Sequence, residues 1–165
     1  MTDARMTYAA PFDAGEYEVR PEWIDANNHM NLAYYTVLFD QATDAIFDVF
    51  DVSYAYKDRT GCGTFAVETH NLYEQELLLG ERARIVTYVL GADAKRVHLA
   101  HEMYRLKDGL RAATQELMYL HVDLGIRKVS PWPEEVLARM QAALDAHSRI
   151  ARPEWVGRRI AMPDR

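Results

Sequence analysis

Seven consecutive residues, Asp25-Ala26-Asn27-Asn28-His29-Met30-Asn31, bring together a carboxylate, three amides and an imidazole. Directly after them, Leu32, Tyr35, Phe39, Ala42, Ile46 and Val49 recur at alternating steps of three and four. That spacing predicts one apolar stripe on a long helix without Gly or Pro, while Asp40, Asp44, Asp48 and Asp51 fall on other faces. Asn31 is a good N-cap, and the N–H groups of Asn31 and Leu32 at the helix start are expected to face the polar turn. A carboxylate beside backbone donors and the positive end of a helix dipole can act as base or nucleophile where an oxyanion is held. The same residue types also serve as ordinary loop and cap residues.

Other polar groups are candidates for the same chemistry. Glu68 and His70 stand two apart in an extended pattern and so share a face, where together they could orient a water. Phe65 and Val67 are expected to point the other way. His98 and His101 are spaced like a helical metal pair but sit in a strand pattern, which puts them on opposite faces, so no metal is expected there. Cys62, between two glycines, reads as a small turn residue rather than a nucleophile paired with His70. His121 reads as sheet packing.

The elements that position these groups follow from punctuation and periodicity. Residues 1–14 read as a lead-in, and residues 15–22 alternate like a half-buried strand ended by Pro21. Residues 53–63 read as a connection. Four strands follow at about 64–74, 82–90, 96–107 and 110–122, separated by turns at Leu79-Gly80, Gly91-Ala92-Asp93 and Asp108-Gly109. Short connections make neighbours pair as hairpins, so the sheet is antiparallel and the long helix must cover one face, an α+β architecture. Pro133-Glu134-Glu135 opens a terminal helix, about 133–149, with a stripe of Val136, Leu137, Met140 and Leu144. Trp155 is the obvious anchor in the basic tail.

With 165 residues and 49% apolar side chains, a single domain over 1–165 is expected. A net charge of −6 without a basic run argues against nucleic acid as a partner. One cysteine excludes an internal disulfide framework. Residues 1–12 lack the apolar core of a signal peptide and no run is long enough to span a membrane, so a cytoplasmic protein with no membrane partner is expected.

The turn from Asp25 through His29-Met30-Asn31 into a helix rich in Tyr and Ala resembles the opening of the hotdog-fold acyl-CoA thioesterases of the 4-hydroxybenzoyl-CoA thioesterase type. Gly80-Glu81, Asp93-Ala94-Lys95-Arg96-Val97, Lys107-Asp108-Gly109 and His121-Val122-Asp123 follow in that family's order, so the resemblance covers about 14–135. Where the family commonly has Gly, this chain has Asn28, which tolerates positive φ better than most residues. The resemblance implies a hotdog fold, an antiparallel sheet wrapped around one long central helix. It also implies an acyl-CoA substrate, no cofactor, and a homodimer or homotetramer formed by edge pairing of sheets. Asp25 would be nucleophile or general base, His29 and Asn31 would order the turn, and Glu68 and His70 would complete the pocket from the partner subunit. Among the chain's cations, Lys95 and Arg96, then Arg82 with Arg84 and Arg127-Lys128, are candidates for the CoA phosphates.

Two alternatives share the same residue types. A hotdog enoyl-CoA hydratase also combines Asp, Asn and His, but its His comes one residue later and its Pro beside the Asn is missing here. An acyl-CoA-binding module without activity would not need the carboxylate. Within the thioesterases, Arg20-Pro21-Glu22-Trp23-Ile24-Asp25, Val67-Glu68-Thr69-His70 and Gly91 to Leu99 are most similar to those linked to carnitine breakdown, which implies betainyl-CoA. Its quaternary ammonium would be held by aromatic faces, for which Trp23, Tyr34, Tyr35 and Tyr73 are candidates, with Glu68 as counter-charge. Tyr35, on the apolar stripe, is expected chiefly in the core.

Overall fold

The structure is a computed structural model that describes residues 8–162. Strand β1 (Phe12–Glu18) leads through a 3-10 turn (Pro21–Trp23) to helix α1 (Leu32–Val49) and a short helix α2 (Tyr54–Thr60). Strands β2 (Cys62–Tyr73), β3 (Arg82–Ala92), β4 (Arg96–Arg105) and β5 (Arg111–Asp123) follow, then a short β6 (Lys128–Val129) and helix α3 (Glu134–His147). All strand pairs are antiparallel, in the order β1-β3-β4-β5-β2, with β6 beside the end of β5. Beyond β5, β2 therefore forms an edge, and β1 forms the other.

One face of this sheet wraps α1, the hotdog arrangement. Near the helix start, Tyr35, Leu38, Phe39 and Ala42 pack on Ala83, Ile85, Met103 and Ala113. Toward its end, Ile46, Phe47 and Phe50 meet Val97, Leu99, Leu117 and Tyr119, with Val136, Met140 and Ala143 of α3 closing the cluster. Each large side chain so buried contributes about 1.5–3 kcal/mol. Leu32 is 62% exposed and borders a surface hollow, and the buried stripe begins at Tyr35.

A polar pin runs through this core. His101 is fully buried and stacks on Phe39 with ring centroids 5.7 Å apart. Thr43 Oγ1 donates to the Phe39 carbonyl oxygen at 3.1 Å, so it accepts from His101 Nε2–H at 2.9 Å, and Thr87 Oγ1 donates to Nδ1 at 2.8 Å. Burial pushes the His101 pKa down to about 3, and the ring is neutral. His98, three residues earlier, lies on the opposite face, as the strand period requires.

That opposite, outer face is crossed by the chain after α3. Trp155 is buried there and donates from Nε1 to Glu102 at 2.8 Å, and the Gly157 N–H donates to Glu116 at 2.6 Å. Burial alone would raise the Glu102 pKa, but Trp155, Tyr104, Tyr88 and Arg111 all donate to it and together hold it below the ordinary range. A buried carboxylate is tolerated only when surrounded by donors in this way.

Several boundaries differ from the sequence expectation, each for a local reason. The first strand covers Phe12–Glu18 rather than 15–22, because Gly15 at φ +100° and a register slip between Asp13 and Gly15 hide the alternation. Pro21 opens the 3-10 turn instead of ending a strand. Residues 53–63 contain α2, ended by Gly61 at φ +70°, a helix too short to show a period. In β2 the register slips again between Ala66 and Glu68, so the alternation of Glu68 and His70 does not carry back to Phe65. Residues 1–7 of the expected lead-in lie outside the described residues.

Candidate active site

The turn before α1 is closed by its own backbone. Ile24 and Met30 form an isolated antiparallel bridge, the Asp25 N–H donates to the His29 carbonyl at 3.0 Å, and the Asn28 N–H donates to the Asp25 carbonyl at 3.0 Å. Closing so tight a loop puts Asn28 at φ +62°, which Asn accepts as Gly would. Asp25 Oδ1 accepts from the Asn27 N–H at 2.8 Å, leaving Oδ2 open. His29 Nδ1–H donates to the Met30 carbonyl at 3.2 Å, which turns Nε2 into the ring's free acceptor.

At the helix start, the Asn31 side chain accepts from the Ala33 N–H at 3.0 Å, and the Tyr34 N–H donates to the Asn31 carbonyl at 3.0 Å. The Asn31 N–H is committed to the Trp23 carbonyl at 2.9 Å. Of the two donors expected from the sequence, the Leu32 N–H is thus the one without a partner among the described residues. It borders a hollow of about 230 Å³ lined by His29, Leu32, Tyr35, Tyr73, Gln75 and Glu76. Tyr35 is fixed there, donating to the Gln75 carbonyl at 3.2 Å and accepting from the Leu77 N–H at 3.1 Å, and burial pushes its pKa up to about 12. Tyr73 packs edge-on against it at 5.3 Å.

The remaining candidates divide between the two faces. Trp23 is buried, stacked on Tyr34 at 5.4 Å with the Arg20 guanidinium 5.2 Å over its ring, so its faces are already occupied. Glu68 and His70 share a face, but it is the outer one, where they line a recess with His98 and Glu116 rather than meeting Asp25 of their own chain. His98 Nε2 and Glu116 are 2.7 Å apart, and His70 Nδ1 is buried without a partner among the described residues. Arg82 and Arg84 pair with Glu16 and Asp13. Arg96 pairs with Asp93 at the β3–β4 turn, whereas Lys95 beside it makes no ion pair among the described residues. Among the described residues no group of three or more His, Cys, Asp or Glu is arranged to hold a metal, and no helix is long and apolar enough to cross a membrane.

Sequence reasoning missed two features. One is the 75–77 segment, whose carbonyl and N–H groups fix Tyr35 and which carries no motif. The other is a cleft of about 550 Å³ between the second half of α1, α2 and the start of β2. Asp40 and Asp44, four residues apart on α1, were its signal, and they read only as falling on other faces than the apolar stripe.

Residues 19–140 match the model of the thioesterase-like superfamily. A betainyl-CoA thioesterase of Pseudomonas aeruginosa is 36% identical over 163 residues, 99% of this chain and 98% of that protein. An L-carnitine dehydrogenase/betainyl-CoA thioesterase of Rhizobium meliloti is 32% identical over 92% of this chain, which spans 30% of that longer protein. A Staphylococcus aureus protein of undefined function, solved in complex with CoA, superposes with a TM-score of 0.86 at 26% identity, covering 96% of this chain and 100% of that one. A DHNA-CoA thioesterase from the same species shares the fold, with a TM-score of 0.73 at 20% identity over 83% of this chain and 95% of that one. The chain belongs to the thioesterase-like superfamily. It is a thioester hydrolase of hotdog fold.

Proposed function

We propose that the protein hydrolyses betainyl-CoA, releasing betaine and free CoA in a reducing cytoplasm. The observation that carries this reading is the 36% identity to a betainyl-CoA thioesterase across nearly the full length of both chains. The geometry of the Asp25 turn supplies the chemistry. The thioester carbonyl oxygen accepts from the free Leu32 N–H, at the positive end of α1, where charge develops as the carbonyl carbon becomes tetrahedral. Asp25 Oδ2 either removes a proton from a water attacking that carbon or attacks it directly, with water then cleaving the anhydride. Either route consumes one water, breaks the C–S bond and returns a proton to the departing thiolate. His29 and Asn31 hold the turn and the helix cap in register.

A dimer completes the site in this reading. Strand β2 is a 12-residue edge, with Val67 at its bulge 54% exposed, and such an edge is a template for pairing. Antiparallel pairing of two β2 strands about a twofold axis sets the Tyr73 end of one beside the Cys62 end of the other. The β3–β4 turn with Lys95 and Arg96 lies at the partner's Cys62 end, placed to hold CoA phosphates. The test is a panel of acyl- and enoyl-CoA esters, with thiol release and enoyl absorbance recorded together. Thiol release from betainyl-CoA is expected. Its absence, or loss of enoyl absorbance without thiol, would replace the thioesterase mechanism.

A further inference from the structure

The cleft beside the second half of α1 has an electrostatic anomaly. Asp40 and Asp44 line it one helical turn apart, and like charges at that spacing disfavour a helix by about 0.2–0.5 kcal/mol. No cation lies within ion-pair distance of either among the described residues, although Lys57 and Arg127 line the same cleft. Burial, then the neighbouring Asp40 and Asp48, holds the Asp44 pKa above the ordinary carboxylate range. Aromatic groups form the facing walls. Tyr119 donates to Asp40 at 3.4 Å and packs edge-on against Phe47 at 5.1 Å, and Tyr54 reaches Asp44 at 3.5 Å. The Phe65 ring is already covered by the Arg127 guanidinium, 5.9 Å from its centre, which leaves Tyr54 and Tyr119 to face a ligand.

Two unneutralised carboxylates within aromatic walls suit a cation that donates no hydrogen bond. We propose that this cleft is the subsite for the quaternary ammonium of the acyl group, and that it serves the thioester site of the partner subunit. This rests on the betainyl-CoA reading and on β2 pairing. The ammonium nitrogen of betaine is two bonds from the thioester carbon, so its subsite must adjoin the Leu32 N–H. In a twofold dimer through β2, the Cys62 end of the partner, which lines the cleft, comes beside Tyr73, which lines the hollow at α1. The cleft thereby replaces Trp23, Tyr34 and Glu68 as the ammonium's surroundings.

Two measurements test this. In the first, tetramethylammonium chloride is titrated into the wild-type dimer and into Asp40→Asn/Asp44→Asn, followed by NMR of the tyrosine rings. Shifts centred on the cleft tyrosines Tyr54, Tyr56 and Tyr119, and binding at least about tenfold weaker in the variant, are expected; equal binding, or none to wild type, would overturn the proposal. Because the substitutions relieve like-charge repulsion, the variant should melt no lower than wild type. In the second, kcat/KM for betainyl-CoA is divided by that for its uncharged isostere, 3,3-dimethylbutyryl-CoA. The double variant should lower that ratio at least about tenfold, whereas Glu76→Gln in the hollow should not. A ratio that falls in Glu76→Gln instead places the counter-charge in the hollow and rejects the cleft. If wild type hydrolyses neither ester, the betainyl-CoA reading fails, and the titration alone decides the cleft.

Discussion

Asp25 and Asn28 do different work within one turn, and substitution separates them. Asp25 is tied to the fold through its backbone and one carboxylate oxygen, so Asp25→Asn keeps the shape and the Asn27 contact. It should melt within a few degrees of wild type and keep the wild-type oligomeric state, yet lose at least about a hundredfold in kcat, the scale of a positioned base or nucleophile. Near wild-type thiol release from this variant would remove Asp25 from the mechanism. Asn28 contributes only a backbone conformation, φ +62°. Asn28→Gly should therefore be nearly neutral, whereas Asn28→Val forces a β-branched residue into the left-handed region, costing about 1–2 kcal/mol. Paired thermal melts of the two variants read the difference, and equal melting points would show that the turn relaxes.

Among the elements, the segment after α3 depends on one side chain. Trp155→Ala removes a buried indole and one of the four donors to Glu102, and large-to-small changes at such sites cost about 3–5 kcal/mol. Trypsin should then cut readily at Arg158 and Arg159 while α3 stays intact; unchanged resistance would mean that the tail is held elsewhere. Trp155 was legible in the sequence as an anchor because it is a large apolar residue in a polar tail. So were α1, through its three-and-four spacing, and strands β2 to β5, through their separating turns. Glycine at φ +100° inside β1 erased the alternation that would have marked its true start. Alternation also reveals which residues share a face but not which face the helix covers. For that reason Glu68 and His70 were correctly paired with one another, while their place beside Asp25, expected from the partner subunit, came from the family resemblance and not from the pattern. The cap at Asn31 was visible as a residue type, but the commitment of its N–H to Trp23, 8 residues back, depends on how the chain folds over itself.

For the whole molecule, pH acts through three histidines held neutral by different elements. His101 is lowered to about 3 by burial, and burial also lowers His121 and His147. Each has a fixed tautomer: His121 accepts from Tyr56 while facing the Ser130 carbonyl, and His147 accepts from the Val89 N–H while donating to the Ala9 carbonyl. A depressed folded pKa leaves stability intact above the unfolded value of about 6.5, since both states are then neutral. Below it the unfolded chain binds protons that the folded one refuses, so stability falls by up to about 1.4 kcal/mol per pH unit from His101 alone. Melting temperature should be flat above about pH 7 and drop steeply toward pH 4, and His101→Gln should flatten that slope relative to wild type. A wild-type melting point that holds steady down to pH 4 would contradict the neutral assignment.

The pin between α1 and the sheet also makes the molecule its own reporter. The His101 Nε2 proton is bonded to Thr43 and sealed from water, so it exchanges slowly where the ring protons of exposed imidazoles exchange too fast to observe. Its imidazole N–H resonance at neutral pH, told apart from those of the buried His121 and His147 by its absence in His101→Gln, would then follow the docking of the central helix without any label. Its disappearance, timed against the loss of helical circular dichroism, would tell whether the helix leaves the sheet before it unwinds.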